Sequence, residues 1–208
     1  ADNKKQYLKY TLIRYLTSKG LRKDAGGVRQ LTEEDISAIE NGIANHIFLE
    51  RYSLYPRVYE IIWEIDGYLQ GKNPSGHSIA QRIVYLNAAT EIIKNNLIFG
   101  VGTGDVQMAF NEYYERSDTK LHKHVRRRAH NQYVTFLITF GIVGFIISMA
   151  GLFAPVFILH KWRDYLFILF FLIALLSMLN EDTLETQTGV SFFMYFYALF
   201  LFGRNRKE

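Results

Sequence analysis

The chain has 208 residues, with 24 Lys and Arg against 20 Asp and Glu, and therefore a formal net charge of +4. It contains no cysteine, which excludes disulfide bonds and Cys-ligated metal sites and is compatible with an oxidising compartment. The mild positive charge is not accompanied by a recognisable nucleic-acid-binding module, which argues against nucleic acid as a partner.

The average hydropathy is close to zero, but this average combines two different parts. The part up to Gln132 is polar and mildly basic, whereas the run from Ala129 to His160 contains no Lys, Arg, Asp or Glu. At a rise of about 1.5 Å per residue, that run can cross a hydrocarbon core of about 30 Å. The sequence therefore predicts a membrane protein with a large water-exposed part.

The N-terminal residues show helical periodicity without a catalytic motif. Residues 1–23 alternate lysines with aromatic and aliphatic residues, as an amphipathic helix at a headgroup surface or a solvated extension of an upstream span would. Thr32 and the three acidic residues after it predict a helix N-terminus. Isoleucines at three- and four-residue steps from Ile36 to Ile47 predict one buried face, and a second helix is predicted to run to Leu69.

The next predicted helix carries the first residue that suggests chemistry. Ser78 and Gln81 have the spacing of a capping box, and the helix that they open places Arg82 in its first turn. A guanidinium group at this position can pair with a phosphate, or it can form an ordinary salt bridge on the helix surface.

A glycine-rich string follows, Phe99-Gly100-Val101-Gly102-Thr103-Gly104-Asp105. It comes after a predicted helix, whereas a dinucleotide-binding loop must follow a strand and has a different glycine spacing. The string therefore predicts a tight helix-to-helix turn, with Asp105 capping the next helix. The backbone amides of such a turn, here at Gly102 and Gly104, can face an anion.

Three arginines, a histidine and a carboxamide stand together where the polar part ends, in the order Arg126, Arg127, Arg128, Ala129, His130 and Asn131. Guanidinium groups pair bidentately with phosphate, and an imidazole can move a proton near neutral pH. The stretch indicates a site for an anionic, membrane-borne substrate, although arginines that only anchor a helix end at headgroups would show the same pattern. Three histidines of this region lack the carboxylate or Cys that would complete a familiar zinc site, so no metal is predicted: His122, His124 and His130.

Three apolar segments predict three transmembrane helices, at 133–159, 165–179 and 190–202. A basic turn separates the first two segments, an acidic turn separates the last two, and a basic tail follows the third. Because short basic loops stay in the cytoplasm, the polar part and the acidic turn are expected outside the membrane and the C-terminus inside.

Four motifs occur in a recognisable order: Ser78-Ile79-Ala80-Gln81-Arg82, the glycine string, Arg128-Ala129-His130-Asn131-Gln132-Tyr133, and Thr139-Phe140-Gly141-Ile142-Val143-Gly144 within the first span. Together they resemble the C-terminal part of the O-antigen ligase and polymerase family of bacterial inner-membrane glycosyltransferases. The acidic turn Glu181-Asp182-Thr183-Leu184-Glu185 is also similar to that of some family members. The resemblance covers roughly Gly76 to Gly203. Because members have many more spans than three, the chain is expected to be a C-terminal fragment, inactive alone.

The helical periodicity of the polar part and the three apolar segments predict an all-α multi-pass membrane protein, with a helical periplasmic segment at 1–75, a periplasmic loop at 76–132 and three transmembrane helices with a cytoplasmic tail at 133–208. The resemblance implies transfer of a glycan from undecaprenyl diphosphate to an acceptor hydroxyl, such as that of the lipid A core, without a cofactor. His130 is then the candidate base for the hydroxyl and Arg82 the candidate cation for the diphosphate. The candidate substrate contacts are Arg126, Arg127, Arg128, Asn131, Gly102 and Gly104.

Two alternatives to the ligase activity stay open. A polymerase of the same family would use the same donor with a second lipid-linked glycan as acceptor. A non-catalytic, membrane-anchored periplasmic module would bind a protein partner or an anionic lipid. Membrane lipids are expected partners in all three cases.

Overall fold

The computed structural model describes residues 2–49 and 53–203. In this part the chain is helical, with short 3-10 turns in the connections and no β-strand, so the predicted all-α class is confirmed. The helices are α1 (Asp2–Ser18), α2 (Ala25–Val28), α3 (Glu33–Glu40), α4 (Tyr55–Leu69), α5 (Ser78–Asn95), α6 (Val106–Arg116), α7 (Gln132–Ile158), α8 (Tyr165–Asn180) and α9 (Gln187–Ala198), and a π-helical turn at Leu199–Gly203 continues α9.

The chain divides into two compact units, residues 1–66 and residues 67–208. In the first unit the buried carboxylate of Asp35 joins α1 to α3. It accepts hydrogen bonds from the Tyr15 hydroxyl and the Lys19 ammonium, each at 2.5 Å, and from the backbone N–H of Thr32 at 2.8 Å. Burial alone would raise the pKa of Asp35, but these hydrogen bonds outweigh burial and hold it well below its usual range.

The predicted helix start at Thr32 is confirmed, because its side chain and that of Asp35 form a reciprocal capping box. The predicted length of this helix is wrong. α3 ends at Glu40, and Gly42 then turns the chain with a φ of +84°. Ile43 lies in the connection after this turn, and Ile47 lies on a separate 3-10 turn, His46–Leu49.

In the second unit, α5 and α6 enclose an apolar core together with the first turns of α7. The buried residues of this core are Val84, Tyr85, Ala88, Ala89, Ile92, Val106, Phe110, Tyr114, Leu121, Ala129 and Ile138. The capping box predicted at the start of α5 is wrong: His77 precedes the helix without a side-chain cap, and Gln81 Oε1 instead lies 3.2 Å from the Tyr85 hydroxyl oxygen.

The glycine string forms the predicted turn between α5 and α6, and it docks against a break in α7. Gly141 has non-helical backbone angles (φ 64°, ψ −169°), which leave carbonyl groups of the preceding turn without their helical partners. The backbone N–H of Val101 donates to Ile138 O at 2.8 Å, and that of Gly102 donates to Thr139 O at 2.9 Å. The turn therefore supplies the hydrogen bonds that the broken helix lacks.

Two glycines permit this close approach of backbones. A Cβ atom at Gly100 would lie 2.5 Å from Ile138 O, and a Cβ atom at Gly141 would lie 2.2 Å from Ile98 O. Both glycines also have positive φ angles, of 71° and 64°. Side chains at these positions would push the turn and the helix apart.

Only α7, among the described residues, is long and apolar enough to cross a membrane, whereas α8 and the combined α9 segment are shorter apolar helices. The first predicted span is thus supported by length and composition, and the other two stay predictions. The predicted basic turn lies between α7 and α8 as a 3-10 turn, Lys161–Arg163. The basic tail after Gly203 lies outside the described residues.

Candidate functional site

The segment before α7 is attached to the acidic turn that follows α8, although about fifty positions separate them. Asn131 is the N-cap of α7, and its side-chain oxygen accepts from the backbone N–H groups of Tyr133 and Val134 at 3.0 and 3.1 Å. Its amide nitrogen donates to Leu179 O at 2.9 Å. One carboxamide therefore both starts α7 and attaches it to the end of α8.

Two buried polar side chains strengthen this attachment. Gln132 Oε1 accepts from the backbone N–H of Leu184 at 2.7 Å, and Thr135 Oγ1 donates to the Asp182 carboxylate at 2.7 Å. Both Gln132 and Thr135 are 1% exposed. Buried hydrogen bonds of this kind are costly to leave unmade, so they hold the acidic turn in one position.

His130 lies immediately before this cap, with a left-handed backbone φ of 50°. Its Nδ1 is 3.3 Å from Glu181 Oε2, and its ring centroid is 6.0 Å from that of Tyr85. The Glu181 side chain is 63% exposed, so the contact opens to solvent. The φ angle is uncommon for a residue other than glycine, which makes it a conformation that the surrounding contacts impose.

Arg82 reaches the same carboxylate from α5. Its Nη2 is 3.9 Å from Glu181 Oε1, and its Nη1 donates to Asn180 Oδ1 at 3.3 Å. The Arg82 side chain is 39% exposed. The predicted cation and the predicted base, 48 positions apart in sequence, thus meet at one carboxylate that sequence reasoning did not select.

Tyr85 is a buried residue whose ring packs beside that of His130. Its hydroxyl donates to Val125 O at 2.5 Å, which holds the chain just before the arginines. Burial raises the pKa of Tyr85, and the nearby Arg127 guanidinium acts in the opposite direction. The phenol therefore stays neutral at ordinary pH.

The three consecutive arginines have different surroundings. Arg126 donates to Leu121 O at 3.3 Å and lies over the Tyr114 ring at 5.8 Å. Arg128 donates to Gln107 Oε1 at 3.2 Å and forms a 2.5 Å ion pair with Glu185. Both are therefore held by groups of the protein itself.

Arg127 differs from its neighbours because its side chain is exposed. Its backbone carbonyl accepts a hydrogen bond from the Tyr114 hydroxyl at 2.8 Å, which fixes the main chain at this point. Its positive charge acts to lower the pKa of Tyr85, the residue whose ring contacts that of His130.

In the part of the chain that the structure describes, the glycine string forms no hydrogen bond with Arg82 or His130. The N–H of Gly102 is engaged with Thr139 O, and Gly104 is exposed ahead of α6. Asp105 occupies the predicted cap position of α6, but its side chain makes no capping hydrogen bond.

The other two histidines of the segment before α7, His122 and His124, stack on each other with ring centroids 5.7 Å apart. The backbone N–H of His122 donates to Ser75 Oγ at 2.9 Å. Within residues 2–49 and 53–203, no group of three His, Cys, Asp or Glu side chains could hold a metal ion.

These features define an all-helical protein that presents a cation, an imidazole and a carboxylate beside the polar end of a long apolar helix. The family model for O-antigen ligase matches residues 36–149, more than half of the chain, and the chain belongs to this family. No curated protein and no solved structure matches it. The family consists of inner-membrane ligases and polymerases that act on lipid-linked glycans and their acceptors in lipopolysaccharide biosynthesis.

The matched residues contain Arg82, the glycine string and the segment from Arg126 to Gln132. They begin well before Gly76, so the first predicted boundary of the resemblance was too late. They end within α7, so Glu181 lies outside them. The signal that could have found Glu181 is a run of acidic residues directly before an apolar segment.

Proposed function

We propose that this chain carries the catalytic centre of a glycan transferase that uses undecaprenyl diphosphate as the carrier of the donor. The observation that supports this proposal is the meeting of Arg82 and His130 at the Glu181 carboxylate. Such an arrangement offers a positive charge for a leaving diphosphate and a base for an incoming hydroxyl at one place.

His130 takes the proton of the attacking hydroxyl. An ionised carboxylate can only accept hydrogen bonds, so the contact with Glu181 holds the proton on Nδ1 and leaves Nε2 as the basic nitrogen. The acceptor oxygen then attacks the anomeric carbon while its proton passes to Nε2. The bond between that carbon and the diphosphate oxygen breaks, and the lipid diphosphate leaves as an anion.

Arg82 stabilises the charge that develops on this leaving group. Its contact with Glu181 is long and solvent-accessible, and ion pairs of this kind contribute only about 0–1 kcal/mol. A diphosphate, with more charge and several acceptor oxygens, can replace that contact at little cost. Glu181 is then left to interact with His130 alone.

The remaining candidate residues divide by their surroundings. Arg127, which is exposed near Tyr85, is the second phosphate contact. Arg126, Arg128 and Asn131 keep the segment before α7 in place through their partners in the protein. Gly102 shapes the turn that fills the break in α7, and Gly104 stays a candidate for contact with substrate.

The test is a transfer assay with the full-length protein in membranes, the lipid-linked donor, and either the lipid A core or a second lipid-linked glycan as acceptor. His130→Ala and Arg82→Ala should each lower transfer by about 100-fold or more, because they remove the base and the charge stabilisation. Glu115→Ala, an exposed position on α6, is the control and should be unaffected.

The acceptor that is consumed distinguishes ligase from polymerase. EDTA should have no effect, and inhibition by EDTA would contradict a metal-independent mechanism. Near-normal transfer by His130→Ala would contradict its role as base, and absence of transfer in the unaltered protein would favour the binding module.

The proposed orientation places the polar part in the periplasm and the basic turn in the cytoplasm. Single cysteines at Glu115 and at Trp162 test it, because both residues are exposed. A membrane-impermeant thiol reagent applied to intact cells with a permeable outer membrane should label the cysteine at 115 and not the cysteine at 162. The reverse pattern would contradict both the orientation and the function proposed for it.

A further inference from the structure

A half-open cleft of about 470 Å³ lies in the second unit, away from the Arg82 and His130 side chains. It is formed by the end of α4, the loop after it, one side of α5 and the end of α6. Its volume is within the range of about 300–1,000 Å³ that is usual for small-molecule sites. Nothing in the transferase chemistry described above uses it.

Two tyrosine rings that line the cleft are held in place by neighbouring residues. Tyr113 lies edge-on against the buried Tyr114, with centroids 5.7 Å apart and ring planes at 76°. The amide of Asn87 donates to the Tyr68 hydroxyl oxygen at 3.3 Å. The cleft therefore has ordered aromatic surfaces that do not depend on a ligand for their position.

The cleft also offers both hydrogen-bond donors and hydrogen-bond acceptors. Burial, with contributions from Glu91 and Tyr68, raises the pKa of Tyr113, so its hydroxyl stays protonated. The ammonium of Lys120 is fixed at the rim by the carbonyl of Gly71, at 2.5 Å. Asp118 adds a carboxylate, and Lys72 adds a second ammonium.

Ser117, which follows the last turn of α6, is the least satisfied of these groups. Its Oγ is buried and has no hydrogen-bond partner among the residues described. A buried hydroxyl without a partner is costly and uncommon in native structures. A turn about the Cα–Cβ bond toward the cleft would let a hydroxyl-bearing ligand supply the missing hydrogen bond.

This combination matches the chemistry of a sugar. A pyranose ring presents an apolar C–H face, which suits a tyrosine ring, and an edge of hydroxyl groups that both donate and accept hydrogen bonds. A diphosphate would need more positive charge than two lysines opposed by Asp118 provide.

Two parts of the chain lead from the cleft to the candidate centre. Asn87 is five residues beyond Arg82 on α5, an axial distance of roughly 7.5 Å. The segment after α6 also leads from Ser117 at the cleft to His130 at the centre. We propose that the cleft binds sugar units of the transferred or accepting glycan beyond the one that reacts. This inference rests on the proposed function for the identity of the glycan.

Binding is tested with full-length protein carrying His130→Ala, so that no turnover interferes. The probe is lipid-free oligosaccharide released by mild acid from the surface glycan of the producing bacterium, and calorimetry measures its affinity. Tyr113→Ala should weaken binding about 10-fold by loss of the aromatic face, and Asn87→Ala about 3-fold. Glu115→Ala, on the exposed side of α6, should change nothing.

Tyr113→Phe and the exposed Asn87→Ala decide the outcome if Tyr113→Ala does not fold. In the active protein, the cleft variants should raise the KM for the glycan and leave kcat within about 2-fold, because they contact no reacting atom. Failure of the oligosaccharide to bind, or equal weakening by Glu115→Ala, would overturn the inference. Binding through the cleft without any glycan transfer would retain the inference and reject the proposed function. If the cleft variants leave glycan transfer unaffected, the inference is overturned and the proposed function is retained.

Discussion

Replacement of Glu181 by Gln is the sharpest perturbation of the candidate centre, because it removes the charge and keeps the shape. A glutamine can offer its NH₂ group to Nδ1 of His130, and Nε2 would then carry the proton and lose its basicity. The proposed mechanism needs the tautomer with the proton on Nδ1. In the variant this tautomer would share the population with the tautomer that carries the proton on Nε2, whereas in the unaltered protein it dominates. Binding of the acceptor does not depend on this contact, so kcat should fall while the KM for the acceptor stays unchanged.

The magnitude follows from the exposure of the contact. The Glu181 and His130 side chains are 63% and 28% exposed, and 3.3 Å separates the two atoms. The interaction lies between an exposed ion pair, about 0–1 kcal/mol, and a hydrogen bond to a charged group, about 1.5–3 kcal/mol. We take roughly 1–2 kcal/mol, which corresponds to a loss in kcat of about 5- to 30-fold.

The matched control is Glu185→Gln in the same acidic turn. Glu185 pairs with Arg128 and not with His130, so its loss should change kcat by less than about 3-fold. Glu181→Gln should also have no further effect in a protein that already carries His130→Ala, because residues that act as one unit are not additive.

The assay is the rate of glycan transfer for the unaltered protein and the four variants (Glu181→Gln, Glu185→Gln, His130→Ala and the double variant of 181 and 130), with protein level and thermal midpoint measured in parallel. Equal effects of Glu181→Gln and Glu185→Gln would refute the assignment of Glu181 to His130. So would a loss from Glu181→Gln that persists in full after His130→Ala.

Three further outcomes are expected. Arg82→Lys should restore little of the transfer lost in Arg82→Ala, because an ammonium cannot make the bidentate contact with phosphate; full recovery would mean that charge alone suffices. Gly141→Ala should destabilise the protein by at least about 1–2 kcal/mol in thermal unfolding, because its φ is 64° and the new Cβ would meet Ile98 O, whereas Gly151→Ala, with open space around it, should be neutral. Since the pKa of Asp35 is lower in the folded than in the unfolded chain, its contribution to stability is present above about pH 4 and is lost as the pH falls further; hydrogen exchange in α1 and α3 should rise there, and Asp35→Asn should remove that dependence.

The sequence by itself determined those features that depend on neighbours a few positions away. Helical periodicity predicted the all-α class, and Thr32 with the acidic residues after it predicted the start of α3, because a cap involves only residues within one turn. The charge-free run predicted a membrane-crossing helix from composition alone. The order of short motifs, independent of their geometry, indicated the family that the match to residues 36–149 confirmed.

Local rules failed where other groups competed for the same atoms. Ser78 and Gln81 have the spacing of a capping box, but the Gln81 side chain contacts the Tyr85 hydroxyl one turn further along α5 instead. The three consecutive arginines look equivalent in sequence, yet partners from α6 and the acidic turn engage Arg126 and Arg128 and leave Arg127 exposed.

Only the tertiary structure brought Glu181 to Arg82 and His130. Its position depends on Asn131, Gln132 and Thr135 docking the acidic turn against α7, and these contacts join residues about fifty positions apart. No periodicity or spacing encodes such a contact, because it arises from the way in which separate helices pack. The sequence predicted Arg82 as the candidate cation and His130 as the candidate base, and helix packing decided which carboxylate contacts both of them.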